Sequence, residues 1–278
     1  MLGFNTVYRR EHIANIPLAT ANTEYNLPSQ GGQIPSDRFL HSLILTWEGR
    51  MTNPGTGTEP TGYIQDAPYS LIDRVMVEGY HRLRQTQEKF IDIRGPDLRE
   101  MVGLYRGLRP FTTHAPADLS LVFDETNDIR FVLPLPFVPL GLPVSQQTGW
   151  LLDAPNYDAL KLTIRFSDDN SVFTGQTAAP AFTAYASATG NPQVRVDGVF
   201  CQAGPSAFRG FVPRRLWRWF MENTTDLIPA ANAVRLFNLP RGYFIRSILV
   251  KTGTKGAAVT SGNDAYDTWV DTALTEIK

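Results

Sequence analysis

Leu160-Lys161-Leu162-Thr163-Ile164-Arg165-Phe166 places an apolar residue at every even position and a polar one between. A period of two is that of a strand with one buried face and one wet face; a helix would scatter these four apolar side chains around its circumference. The stretch decides the fold class because looser versions of it recur along the chain. Phe39 to Trp47 is an aliphatic run closed by Gly49. Leu71 to Val77, Ile129 to Leu133 and Val194 to Phe200 read as further strands, and Tyr80 to Ile93 contains another. The 22 glycines and 20 prolines punctuate these runs, as in β-sandwiches and barrels. The expected fold class is therefore all-β.

Residues between the strands carry turn chemistry. Residues 52–62 are mostly Thr, Gly, Pro and Asn and form a loop. Pro134, Pro136, Pro139 and Pro143 exclude a central strand there. Residues 167–192 are small and polar and are expected as an exposed excursion, because such side chains cannot offset their ordering entropy by burial. One helix is expected over 96–106. Pro96 suits a first-turn position, Asp97 and Glu100 favour the N-terminal end of the dipole, and Gly107 stops the run.

Composition narrows the function classes. A formal net charge of −1 removes the bulk basic field needed to wrap nucleic acid. Of the 26 cationic residues 21 are arginine, whose planar fork suits fixed pairing at subunit contacts. Cys201 is the single cysteine, so no disulfide framework or multi-cysteine metal site can form within the chain, and Val199-Phe200-Cys201 reads as a buried strand thiol. No run approaches the ~18 apolar residues of a membrane-spanning helix.

Catalytic and metal-binding motifs are missing from the sequence. His12, His41, His81 and His114 stand in no ligand spacing, and His41 is expected on the outer face of its strand. Asp124-Glu125 and Asp168-Asp169 are adjacent carboxylates in turn-like sequence, which cap or solvate turns more often than they act as acid and base. No nucleophile elbow, phosphate loop or dinucleotide fingerprint occurs. The reading is of no cofactor, no metal and no enzyme.

The segment Arg209 to Phe220 is the most unusual. Arg209, Arg214, Arg215 and Arg218 interleave with Phe211, Trp217, Trp219 and Phe220. Arginine with aromatics can stack on single-stranded nucleic acid or sit at a membrane interface. It can equally be a connector whose aromatics are buried and whose arginines pair across an interface; the connector is the favoured reading.

A weak internal repeat organises the chain. Phe39-Leu40-His41-Ser42-Leu43-Ile44-Leu45 resembles Phe244-Ile245-Arg246-Ser247-Ile248-Leu249-Val250. Upstream of each stands an Asn-Leu-Pro, at 26–28 and 238–240. Arg9-Arg10 matches Arg214-Arg215, and Ile72-Asp73-Arg74-Val75 matches Leu274-Thr275-Glu276-Ile277. If the repeat holds, Phe39, His41, Leu43 and Leu45 share one face of the early strand, as Phe244, Arg246, Ile248 and Val250 share one face of the later.

With these openings the chain resembles the jelly-roll major capsid proteins of tailless icosahedral viruses and phages with an internal membrane. Tyr25-Asn26-Leu27-Pro28 with Phe39–Leu45, the strand at Leu71–Val77 and the Gly95-Pro96-Asp97-Leu98 helix start carry the likeness in the first unit, and Leu236–Pro240 with Phe244–Val250 in the second. The resemblance implies a jelly-roll sandwich, of the double type with its second barrel incomplete in this chain, or else a single jelly roll with a decorating domain. It implies an N-terminal arm at 1–20, a first jelly roll at 21–205, and at 206–278 a connector and the start of a second. It also implies self-association into trimeric or pseudo-hexameric capsomers of a virion, synthesis in the host cytoplasm, penton or minor capsid proteins as partners, and contact with an internal membrane or genome. Interface and inner-face candidates are Tyr8, Arg9 and Arg10 in the arm and Arg214, Arg215, Trp217, Arg218 and Trp219 in the connector. The alternative is a carbohydrate-binding or carbohydrate-active jelly roll, for which five Trp and ten Tyr could supply sugar platforms.

Overall fold

The structure, a computed structural model, describes residues 8–17, 24–29, 31–52, 57–64, 66–106, 112, 126–139, 141–167, 172–175, 181–183, 193–201, 219–220, 253–254 and 268–269. Fifteen strands run in chain order among them. They are β1 (Tyr8–Pro17), β2 (Glu24–Leu27), β3 (Phe39–Thr52), β4 (Gly62–Tyr63), β5 (Ile72–His81), β6 (Thr86–Ile93), β7 (Thr126–Pro136), β8 (Leu152–Asp153), β9 (Tyr157–Phe166), β10 (Phe173–Thr174), β11 (Ala181–Thr183), β12 (Gln193–Cys201), β13 (Trp219–Phe220), β14 (Gly253–Thr254) and β15 (Thr268–Trp269). Helix α1 spans Gly95–Arg106 and the one-turn α2 spans Val144–Gln147.

Eight of these strands form two antiparallel sheets. The first has the order β1-β12-β3-β7, with β11 and β8 extending the pairing of β3. The second has the order β6-β5-β9-β2, with β13 added beside β6. Labelling the eight B to I in chain order gives B-I-D-G facing C-H-E-F, the jelly roll built from two Greek keys. The jelly roll closes within residues 8–201.

The period of two on β9 appears as expected. Leu160, Leu162, Ile164 and Phe166 are buried, while Lys161 and Arg165 face outward. From the facing sheet come Leu43, Leu45, Trp47, Phe131, Leu133 and Leu135, and both sets join one core. Trp47 stacks on Phe131 with ring centroids 5.5 Å apart, and Tyr69 packs against the same Phe131 at 4.8 Å.

Helix α1 starts where the sequence placed it. Its Leu98 and Val102, one turn apart, are buried against the 69–71 turn, β5 and β7. Gly95 permits this approach, since a Cβ there would lie 2.6 Å from the Tyr69 carbonyl oxygen and 2.9 Å from that of Ile72.

Three expectations are corrected. Residues 8–17, read as part of an arm because they are polar and end at Pro17, form the sheet strand β1. Its Ala14 and Ile16 reach the core once a bulge between His12 and Ala14 has changed the phase; before it Arg10 and His12 project from the outer face, and Arg9 and Glu11 pair with Phe200 and Gly198. Phe39, His41, Leu43 and Leu45 do not share a face. Val199 pairs with Ser42 but Phe200 with Leu40, so His41 is an extra residue that turns Leu40 inward beside Leu43 and leaves Phe39 outside. Within 167–192, Ser167, Val172 and Phe173 are buried, because β10 pairs with β4 and Ile64 N–H donates to the Val172 carbonyl. The repeat partners Phe244–Val250 and Leu274–Lys278 lie outside the described residues.

The strand β7 continues through Pro134 and Pro136 because it lies at a sheet edge. Phe137 N–H donates to His41 O across to β3, so the alternate even positions carry their nitrogen on the open side, where no donor is needed.

Alternation of strand direction sorts the connections. The links β3–β5, β6–β7 and β9–β12 emerge at one end, where α1 meets the 69–71 turn and β4 meets β10. The links β2–β3, β5–β6 and β7–β9 lie at the other end, the base, with the start of β1 and the end of β12. Arg82 N–H donating to Asn156 O ties two of the base links together.

Candidate interface sites

The outer face of the first sheet carries a buried carboxylate. Register sets His12 opposite Asp197 and Asn15 opposite Arg195, so Arg10, His12, Arg195 and Asp197 project from one face. The Asp197 side chain is fully covered, although it faces away from the core. Its Oδ2 accepts from Arg10 Nε at 2.9 Å and from Arg10 Nη2, and its Oδ1 accepts from Arg195 Nε at 2.9 Å. His12 Nδ1 stands 3.2 Å from Oδ1 and must carry the proton there, since an ionised carboxylate only accepts. Burial by itself would raise the Asp197 carboxyl, but the hydrogen bonds from Arg10, Arg195 and His12 outweigh it and hold the group below the ordinary carboxylate range. Arg38 joins this sheet to the β2–β3 link by donating to Glu11 at 2.6 Å.

At the base end of the same face lies a second, smaller apolar cluster. Val138, Leu151 and Cys201 are buried, with Tyr8, Phe39 and Trp150 packed around them. Tyr8 sits opposite Cys201 in the sheet. Its hydroxyl is shielded from solvent with no hydrogen-bond partner among the described residues, and burial, then the nearby Cys201, pushes the phenol up to about 12. The bulged His41 meets the Tyr8 ring edge-on at 4.9 Å. Gln147 Nε2 donates to Leu142 O, which fixes its amide so that Oε1 accepts from His41 Nε2 at 3.1 Å; His41 Nδ1 is then the acceptor for Ser42 Oγ–H.

The second sheet's counterpart is less covered: Asp92 accepts from Arg74 Nε and Nη2 at 2.7 and 2.8 Å and from Lys89 Nζ at 2.8 Å. Elsewhere its outer face is tied by separate cross-strand pairs, Lys161 with Glu78 at 3.7 Å and Arg165 with Asp73 at 3.4 Å. Among the described residues no group of three or more His, Cys, Asp or Glu side chains is placed to hold a metal ion.

Of the residues singled out from the sequence, Tyr8 belongs to the small cluster and Arg10 to the Asp197 clasp. Arg9 is largely exposed and stands 3.6 Å from Glu11. Trp219 lies in β13, whose backbone runs parallel to Ile91-Asp92 of β6. Arg214, Arg215, Trp217 and Arg218 lie outside the described residues. The sequence reading missed His12, Arg195 and Asp197. Their signal was the charged residues alternating with Val in Val194-Arg195-Val196-Asp197, with the cations of β1 as the matching set.

No family model matches the chain, and no curated protein matches it. Among solved structures, it is similar to one described as the crystal structure of the STIV MCP, at 13% identity and a TM-score of 0.46 over 70% of this chain and 48% of that one. A chain of the atomic structure of Sulfolobus turreted icosahedral virus matches at 15% identity and 0.45, over 69% and 45%. PBCV-1 VP54, fitted into a reconstruction of the virophage Sputnik, matches at 17% and 0.39, over 72% and 43%. The chain thus spans a little under half the length of each of these three structures.

Proposed function

We propose that the chain is a major capsid protein, a structural subunit that assembles with copies of itself into the capsomers of an icosahedral viral shell. The observation that carries this reading is the jelly roll complete within 8–201, with both of its chain ends at the base and its long connections gathered at the opposite end. Such a block can stand upright in a shell, with loops outward and the chain ends inward, and its function is geometric, not catalytic. In this reading the first unit ends near Cys201, and residues 206–278 connect to and begin a second. Trimers with a pseudo-sixfold outline follow if two barrels are present, and pseudo-hexamers of single barrels if not. Penton or minor capsid proteins, an internal membrane and the genome are further contacts of this reading, which extends to a bacteriophage made in the host cytoplasm.

The jelly roll also occurs in lectins, so the sugar-binding alternative turns on surface aromatics. Trp47 is fully buried under Phe131, and Trp150 is packed into the small base cluster. Trp47 therefore presents no open ring face to a sugar, and Trp150 is half-buried. Sedimentation and negative-stain microscopy of the purified chain test the assignment. Capsomer-sized or shell-like particles are expected; a monomer at all concentrations that a glycan column retains would overturn it.

A further inference from the structure

At the base, the four-residue turn 82–85 between β5 and β6 is held by an imidazole. His81, the last residue of β5, is buried, and its Nδ1 accepts the backbone N–H of Arg84 at 3.2 Å. A backbone N–H only donates, so Nδ1 must carry a lone pair and the ring is neutral in this arrangement. The same turn is closed by Gln85 N–H donating to His81 O at 2.9 Å, with Gln85 in the left-handed region at φ 51°. At its tip Leu83 is 82% exposed, between Arg82, which donates to Asp158, and Arg84, which donates to Glu88.

The groups on the elements packed against His81 are mixed in sign. The turn supplies Arg82 and Arg84. Glu88 comes from β6, accepting from the Tyr157 hydroxyl at 3.0 Å. Tyr157 and Asp158 come from β9, and the Tyr157 ring meets the imidazole edge-on at 5.2 Å. Asp153 of β8 interacts with His81 through charge. A proton on Nδ1 would point at the Arg84 N–H, donor against donor.

We propose that His81 is a proton-operated latch on the β5–β6 turn: neutral, it holds the turn that presents Leu83; protonated, it lets go of the Arg84 amide and frees the turn. Release occurs as pH falls, because the proton is taken up at the atom that accepts the bond. This makes the base, where the jelly roll's two chain ends lie, the pH-responsive end of the molecule.

Hydrogen exchange of the Arg84 amide, read by NMR between about pH 8 and about pH 5 and normalised to the unstructured rate at each pH, tests the latch. Protection in the wild-type chain should fall by about fivefold or more, the factor of one typical hydrogen bond. His81→Asn puts a side-chain oxygen that does not titrate near the Nδ1 position, and its protection should stay level across the range. His81→Phe removes the acceptor, and protection should be low at both ends. Level protection in the wild type, or an equal fall in His81→Asn, overturns the proposal. Should His81→Phe fail to fold, the wild type and His81→Asn decide it.

Discussion

The two sheets bury similar apolar faces inward but manage charge differently on their outer faces. The first gathers Arg10, His12 and Arg195 onto one carboxylate, Asp197, that solvent does not reach. The second gathers only Arg74 and Lys89 onto Asp92, which solvent still reaches, and spreads the rest over separate pairs whose cations are roughly half exposed. A shared buried carboxylate couples β1 to β12, so its loss disturbs three partners at once. A surface pair is screened by water and contributes little. The same residue types therefore have unequal weight, and what separates them is burial of the acceptor.

The largest effect should come from beneath both faces. Phe131→Ala removes a ring stacked between Trp47 and Tyr69, and denaturant unfolding should show a loss of about 3–5 kcal/mol. That result would set the scale against which the outer faces are compared. A loss under about 1 kcal/mol would mean that the two sheets do not share a core.

Asp197→Ala should cost less, about 2 kcal/mol, because its donors are partly exposed and can return to water. The pH dependence has a definite sign. The folded carboxyl sits below its unfolded value, so its contribution is present above the ordinary aspartate range near pH ~4 and is lost as pH falls through the folded value. The gap between wild type and Asp197→Ala should thus hold from neutrality down to about pH 4 and close only in stronger acid. A gap that closes well above pH 4 would place the stabilisation in His12 and remove the contrast between the sheets.

On the second sheet, Lys161→Ala should change stability by no more than about 0.5 kcal/mol. A cost comparable to that of Asp197→Ala would break the comparison outright.

At Asp153 the sign reverses. Burial raises its carboxyl, with His81 opposing, so the charged form is disfavoured in the fold and its penalty grows as pH rises through the folded value. Asp153→Asn keeps an acceptor for Asn156 Nδ2, which now donates to Asp153 at 2.7 Å. At neutral pH it should be neutral or slightly stabilising, by less than about 0.5 kcal/mol, as thermal unfolding can read.

The sheet-forming strands and α1 were legible because each has a clean local signature. Leu160 to Phe166 alternates, and Gly95-Pro96-Asp97 opens a helix with its own dipole chemistry. Failures came where one extra residue changes the phase. Nothing local to Ile13 or His41 marks a bulge, because each bulge exists only relative to the partner strand β12. The polar Tyr8-Arg9-Arg10-Glu11 looked like an arm for the same reason: its buried partner, Asp197, lies far along the chain. Tyr8 and Arg10 were singled out only as part of an expected arm, and nothing local to them pointed to Asp197, which required the pairing. Val172 and Phe173 were diluted by the small residues around them.

The bulge at His41 makes β3 a strand with two addresses. Above it, Leu43, Leu45 and Trp47 feed the main core; below it, Phe39 feeds the small cluster with Tyr8 and Cys201. The strand therefore has a fixed gauge between its two destinations. The surplus residue sets this gauge: losing the bulge at constant length would send Phe39 inward and Leu40 outward, whereas deleting position 41 would keep Leu40 opposite Phe200 and Phe39 outside. Lengths, and not only letters, are constrained along this strand: tolerance to deletion should be lowest between Leu43 and Trp47, where one lost residue reverses the phase, and highest at the surplus histidine.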